Sequence, residues 1–172
     1  MSEAPDVSWT GPTGDLFSLR VGAILVRDRR LLLTRTDGED HWFLPGGRAK
    51  LGEPAAAALR RELREELDLT VAEVRIRIVA ENFFARPGEG GVHELGLYGE
   101  ATTDGLPDDT EFVGAEGPGS VFRWFGPEEL ARIDVRPRPV ADLLFALPDH
   151  PVHLQVGPED ADGAAAQSPG RR

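Results

Sequence analysis

The chain has 172 residues, 40% of them hydrophobic and 28% charged, a composition that suits one domain able to bury its own core. Its formal charge of −11 excludes a general binder of duplex nucleic acid, which needs a basic face. The lack of cysteine excludes disulfides, thiolate nucleophiles and zinc–thiolate sites and fits a reducing, cytoplasmic setting, and no run of about 18 apolar residues is present to span a membrane.

Residues 1–15 have neither the basic start nor the apolar stretch of a leader and read as a flexible segment. Leu16 to Val26 is apolar and rich in branched residues, which predicts a buried strand; Arg27–Arg30 predicts a tight turn and Leu31–Thr36 the returning strand. After a loop at Asp37–Asp40, "HWFLPGG" ends in a Pro-Gly-Gly turn. Glu53 to Leu67 is predicted as a helix, with Pro54 in its first turn and a run of alanine, leucine, arginine and glutamate behind it. Leu59, Leu63 and Leu67 mark its apolar stripe. Thr70–Phe84 and Val92–Thr103 read as strands around a turn at Ala85–Gly91, and Asp104–Ser120 as a long acidic loop. A short strand follows at Val121–Phe125, then a short helix opening at Gly126 and a last helix from Arg138 to Leu147; from 156 onward the chain reads as a disordered tail.

The predicted helix poses the main question. At about 100° per residue, Glu62, Glu65 and Glu66 crowd one arc beside the leucine stripe, where they repel one another. Taken alone, such a cluster is ordinarily a solvated face; a strongly positive partner is the alternative. Gly47, Glu53, Arg61, Glu62, Leu63, Glu65, Glu66 and Leu69, in register, resemble the Nudix box, and only its late glycine is replaced, by Asp68. A match of this length arises by chance on the order of 10⁻⁷ to 10⁻⁸ per window. The resemblance extends to "WFLPGG" ahead of the box and to the order of elements behind it.

The resemblance implies an α/β fold, a Nudix-type α/β/α sandwich with a mixed central β-sheet over residues 16–155. It implies Mg²⁺, with Mn²⁺ as a substitute, held by Glu62, Glu65, Glu66 and the Gly46 carbonyl, and an Arg61–Glu53 salt bridge that supports the loop and helix. The spacing agrees with the chemistry, since magnesium takes hard oxygen ligands and leaves room for phosphate oxygens. The family's reaction is attack by water on a nucleoside diphosphate linked to another group. Its general base varies; Glu116, Glu111 and Glu94 are candidates for it or for an extra ligand. Arg35 and Arg48, ahead of Arg20, are candidates for phosphate, Trp42 and Phe43 for a base, and His41 and His93 for proton transfer, although aromatics and histidines in such places are more often structural.

Subfamily markers outside the box are absent or displaced. The proline that accompanies ADP-ribose cleavage is replaced by Phe84 and Ala85, with Pro87 late, and the tyrosine of the dinucleoside polyphosphate group is missing. "LLTRT" has its arginine one place early for the coenzyme A pattern, and the cysteine of isopentenyl diphosphate isomerases is lacking. The reading that follows is a MutT-like hydrolase of nucleoside triphosphates, with ADP-ribose or a nucleotide sugar as the alternative substrate and a non-catalytic nucleotide sensor as the alternative class. The expected partner is a small nucleotide, not duplex nucleic acid or a membrane, and the expected state a monomer or homodimer.

Overall fold

The apolar run beginning at Leu16 does not form one strand. In the computed structural model, which describes residues 4–85, 90–102 and 104–158, it splits into β2 (Leu16–Ile24) and β3 (Val26–Arg27), which enter different sheets. Asp28 and Arg29, both at positive φ, make the tight turn into β4 (Arg30–Thr36), as a two-residue hairpin loop requires. The chain continues through α1 (Ala55–Leu67), β5 (Val74–Ala85), β6 (Gly91–Ala101), β7 (Glu111–Val113), β8 (Ser120–Phe125), α2 (Pro127–Leu130), α3 (Arg138–Ala141) and β9 (Val152–Val156).

A short β1 (Ser8–Thr10) leads the larger sheet, whose order is β1-β2-β6-β5-β9; β2–β6 and β5–β9 are parallel and the other two pairings antiparallel. The smaller sheet runs β3-β4-β8-β7. Alternation along the strands feeds two apolar layers. Val21, Ala23, Leu32 and Trp124 meet Leu59 and Leu63 of α1; Ile24, Leu31, Ile78 and Phe125 meet Leu130 of α2 and Val140 of α3. The result is the expected α/β/α arrangement around a mixed sheet, with a second small sheet sharing both layers.

Helix α1 forms where predicted, with Pro54 as its N-cap and Leu59 and Leu63 fully buried. Its end is closed by Asp68 in the left-handed conformation (φ 52°), with Asp68 N–H donating to the Arg64 carbonyl and Leu69 N–H to the Leu63 carbonyl. Aspartate tolerates this conformation less well than glycine and sets a negative charge at the helix's negative end. Asp68→Gly is therefore expected to raise stability by about 0.5–1 kcal/mol, read as a higher urea midpoint at unchanged slope.

Three sequence expectations are corrected. Residues 1–15 are not simply a flexible lead: β1 pairs with β2, Val7 N–H donates to the Ala49 carbonyl at 2.7 Å, and Leu51 N–H to that of Pro5 at 2.8 Å. The 104–120 loop contains β7, held on β8 with Phe112 stacked on Phe122 at 5.8 Å. The last helix is limited to Arg138–Ala141, and "VHLQV" adds β9 beside β5. The tail expected from 156 lies, from 159 on, outside the described residues, as does most of the 85–91 turn.

Candidate active site

The Pro-Gly-Gly turn is laced to β2. Ala23 N–H donates to the Pro45 carbonyl at 2.7 Å and Val21 N–H to that of Gly47 at 2.8 Å. Gly46 sits at φ 134°, and a Cβ there would run into the Val21 carbonyl, so only glycine fits. Its N–H donates to Glu66 Oε2 at 2.9 Å, which ties the turn to α1. A Cβ on Gly47 would lie 2.7 Å from both carboxylate oxygens of Glu62, so the second glycine keeps open the space that carboxylate occupies.

Arg61 clamps this arrangement. Its guanidinium donates to Glu53 through Nε (3.0 Å) and Nη2 (2.9 Å), to Glu62 Oε1 (2.7 Å) and Glu65 Oε2 (3.0 Å) through Nη1, and to the Arg48 carbonyl (3.0 Å). Glu53 Oε2 in turn accepts from Lys50 N–H at 3.0 Å. Loop and helix are thus joined by one planar cation, and its hydrogen bond holds the Glu53 carboxyl below the usual range.

The electrostatics of Glu62 and Glu66 differ from those of Glu53. Burial pushes both carboxyls up. For Glu66 the charge of Glu62 adds to burial, Arg20 and the Gly46 N–H oppose it, Glu116 adds a little, and the group reaches about 7. Two half-buried carboxylates that disfavour each other's ionisation suit a hard cation, and the donors at hand are all oxygens: Glu62, Glu66 and the Gly46 carbonyl. Among the described residues no three His, Cys, Asp or Glu side chains already converge on one point. Glu65, bonded to Arg61, would have to turn to join the set.

A cleft of about 530 Å³, lined by Arg20, Phe43, Glu94 and Tyr98 among others and by no residue of α1, opens on the face of β2, β6 and β5 that carries Tyr98. Arg20 stands between this cleft and the box turn, lining the cleft while Nη2 donates to the Gly46 carbonyl at 3.1 Å and to that of Leu44 at 3.5 Å. The sequence favoured Arg35 and Arg48 over it. The structure sets Arg35 over the Trp42 ring at 4.8 Å and Arg48 near Asp6 at 3.8 Å, neither lining the cleft. A lone arginine in an apolar strand, facing the layer that holds the box turn, was the available signal. Trp42 is core, 6% exposed and edge-on to Phe125, and has no free face for a base; Phe43, in contrast, lines the cleft, its ring 5.3 Å from the Arg20 guanidinium.

Among the remaining candidates, His41 and Glu94 line the cleft, whereas His93 lies between Phe17 and Phe83 away from it. Glu111 is exposed and faces Arg123 at 3.9 Å. Glu116 is exposed on a loop seated on the end of α1, where Ala115 N–H donates to the Glu66 carbonyl at 2.7 Å.

Comparisons with known proteins converge on the same region. A family profile described as "NUDIX domain" matches residues 16–144. An RNA pyrophosphohydrolase of Halorhodospira halophila is 43% identical over 63 residues, 36% of this chain and 35% of that protein. The chain thus spans about a third of the length of the curated relatives it matches first. A MutT Nudix hydrolase from Burkholderia pseudomallei superposes with a TM-score of 0.59 at 27% identity, over 73% of this chain and 95% of that one. A MutT protein from Bacillus halodurans gives 0.63 at 16% identity, over 83% and 92%, and supports the fold. With the box helix, its glycine turn and its arginine clamp in place, and with three quarters of its length matched by the family profile, the chain belongs to the Nudix hydrolase family.

Proposed function

We propose that this chain hydrolyses a phosphoanhydride of a nucleoside diphosphate derivative, and that nucleoside triphosphates are its preferred class over ADP-ribose or nucleotide sugars. The observation that carries the reading is the placement of Arg20, which joins the half-buried Glu62–Glu66 pair to a cleft large enough for a nucleoside. The names of the relatives matched over the box, RNA pyrophosphohydrolases, and of the MutT hydrolase at 27% identity favour a pyrophosphohydrolase.

In this reading Glu62, Glu66 and the Gly46 carbonyl would hold Mg²⁺, or Mn²⁺ in its place, and Glu65 would join them on leaving Arg61. A bound divalent ion neutralises the phosphates and acidifies a water. Arg61 and Glu53 act by position, keeping loop and helix at fixed separation. Arg20 receives a phosphate oxygen. Water attacks phosphorus, one P–O bond forms, the bridging P–O bond breaks, and a carboxylate beside the Glu62–Glu66 pair takes the proton; Glu116, on the loop whose Ala115 N–H donates to the Glu66 carbonyl, is the assigned base.

The test is a panel of nucleoside triphosphates, ADP-ribose, nucleotide sugars and dinucleoside polyphosphates with Mg²⁺, products resolved by chromatography. Turnover of triphosphates that stops with a chelator is expected. Faster cleavage of ADP-ribose would replace the substrate class, and no turnover with any substrate would overturn the hydrolase reading.

A further inference from the structure

The floor of the cleft is built from three rows across β2, β6 and β5. Ser18, Glu94 and Asn82 form one row, Arg20, Gly96 and Ala80 the next, and Gly22, Tyr98 and Ile78 the third. Tyr98 lies across the glycines: a Cβ on Gly96 would stand 2.7 Å from its hydroxyl oxygen, and one on Gly22 2.7 Å from its ring. The two glycines make room for the Tyr98 ring, and Arg20, Glu94, Asn82 and Tyr98 line the cleft above these rows. In the row of Ser18 and Glu94, Asn82, 2% exposed, donates from Nδ2 to Glu94 Oε1 at 3.2 Å and to the Tyr98 hydroxyl at 3.4 Å. Glu94 is the acidic group of this row and, among the described residues, makes no ion pair. A carboxylate held by a neutral amide on one oxygen keeps its other oxygen for something else.

We infer that Glu94 reads the base of the nucleotide and selects guanine, an assignment that rests on the proposed nucleotide hydrolysis for its substrate class. An ionised carboxylate only accepts hydrogen bonds. The pairing edge of guanine offers two adjacent donors, N1–H and the 2-amino group, which a carboxylate takes together. Adenine and cytosine each set a ring acceptor beside their amino donor, and uracil flanks its one donor with two carbonyls, so each turns a lone pair toward Glu94. Such mismatches are rejected because the half-buried carboxylate is left facing a like partner once the base covers it. Phe43 and Phe84 supply aromatic walls for the ring, and Asn82 and Tyr98 position the carboxylate. Oxidised guanine and a guanine at the 5′ end of an RNA share this edge.

The experiment measures kcat/KM with Mg²⁺ for GTP, ITP, ATP, 8-oxo-dGTP and a 5′-triphosphorylated oligoribonucleotide beginning with G. In parallel, titration calorimetry measures binding of GMP and AMP, which have no anhydride to cleave. Wild type is expected to favour GTP over ATP at least tenfold, with ITP between, since it lacks the 2-amino donor. Glu94→Gln presents one donor and one acceptor, the complement of adenine, so the GTP/ATP ratio should fall at least tenfold, chiefly through KM. The ranking of GTP, 8-oxo-dGTP and the oligonucleotide tells which source of guanine is used. Equal loss on every base would overturn the assignment in favour of proton transfer or packing by Glu94. Turnover indifferent to base would overturn it and leave the hydrolase reading standing. GMP bound ahead of AMP, with the preference lost in Glu94→Gln but no substrate cleaved, would support it and remove the hydrolase reading alone.

Discussion

Glu66→Gln is expected to lower turnover by 10²-fold or more and, at the same time, to make the metal-free protein more stable at neutral pH. The first effect follows from removing a carboxylate assigned to hold the cation that offsets phosphate charge; losses on the order of 10²–10³ accompany removal of a single group of this kind. The second follows from the raised carboxyl. In the fold Glu66 titrates near 7 against an ordinary 4.5, chiefly from burial and then from Glu62. A carboxyl with a higher pKa folded than unfolded keeps its proton longer in the folded state. Its contribution is thus fully present below about 4.5 and is lost as pH rises through about 7, with an upper bound of about 3 kcal/mol. Glutamine carries no such charge and still offers an oxygen to the Gly46 N–H. Urea unfolding in chelator should show wild type losing stability between pH 5 and 7.5, the variant losing less, and Mg²⁺ stabilising wild type by the larger amount. A variant less stable than wild type at pH 7.5, or equal Mg²⁺ stabilisation of both, would refute this account.

Arg61→Ala should cost about 3 kcal/mol of stability as well as activity. The side chains of Arg61, Glu53 and Glu62 are 14%, 18% and 13% exposed, so this is a largely sheltered network and not a surface pair. Removing the cation leaves Glu53 and Glu62 without their compensating charge and frees the Arg48 carbonyl, so loop and helix lose their common anchor. Lysine keeps a charge but cannot reproduce the fork, and Arg61→Lys should fall between. Thermal unfolding of the three proteins checks the order. Alanine melting within a degree or two of wild type would show that the clamp contributes only to geometry in the bound state.

The box was legible because its residues act over short range. Gly46, Gly47, Glu53, Arg61, Glu62 and Glu66 meet through one turn and one helix, so spacing along the chain is nearly spacing in space. Helix α1 was legible for the same reason, its leucine period being local. Arg20 ranked behind Arg35 and Arg48 because its use depends on which face of β2 looks toward the Pro-Gly-Gly turn, and that is set by pairing with β6, more than 70 residues along the chain. Trp42 was open to a binding reading because an aromatic before a turn has the same local sequence whether it faces a cleft or Phe125. The β9 strand was overlooked because five alternating residues become a strand only when β5 offers an edge.

By itself, the sequence determined the family, the helix with its crowded acids, the glycines at the turn and the arginine that answers three of the charges. These depend on local sterics and on helical periodicity, which the order of residues sets directly. Tertiary structure alone decided what the acids face. Parallel pairing of β2 with β6 and antiparallel pairing of β6 with β5 bring Arg20, Glu94, Tyr98 and Asn82 onto one face, and these residues line the cleft. Cross-strand register is a long-range outcome of burying two apolar layers at once, and no short stretch of the chain contains it.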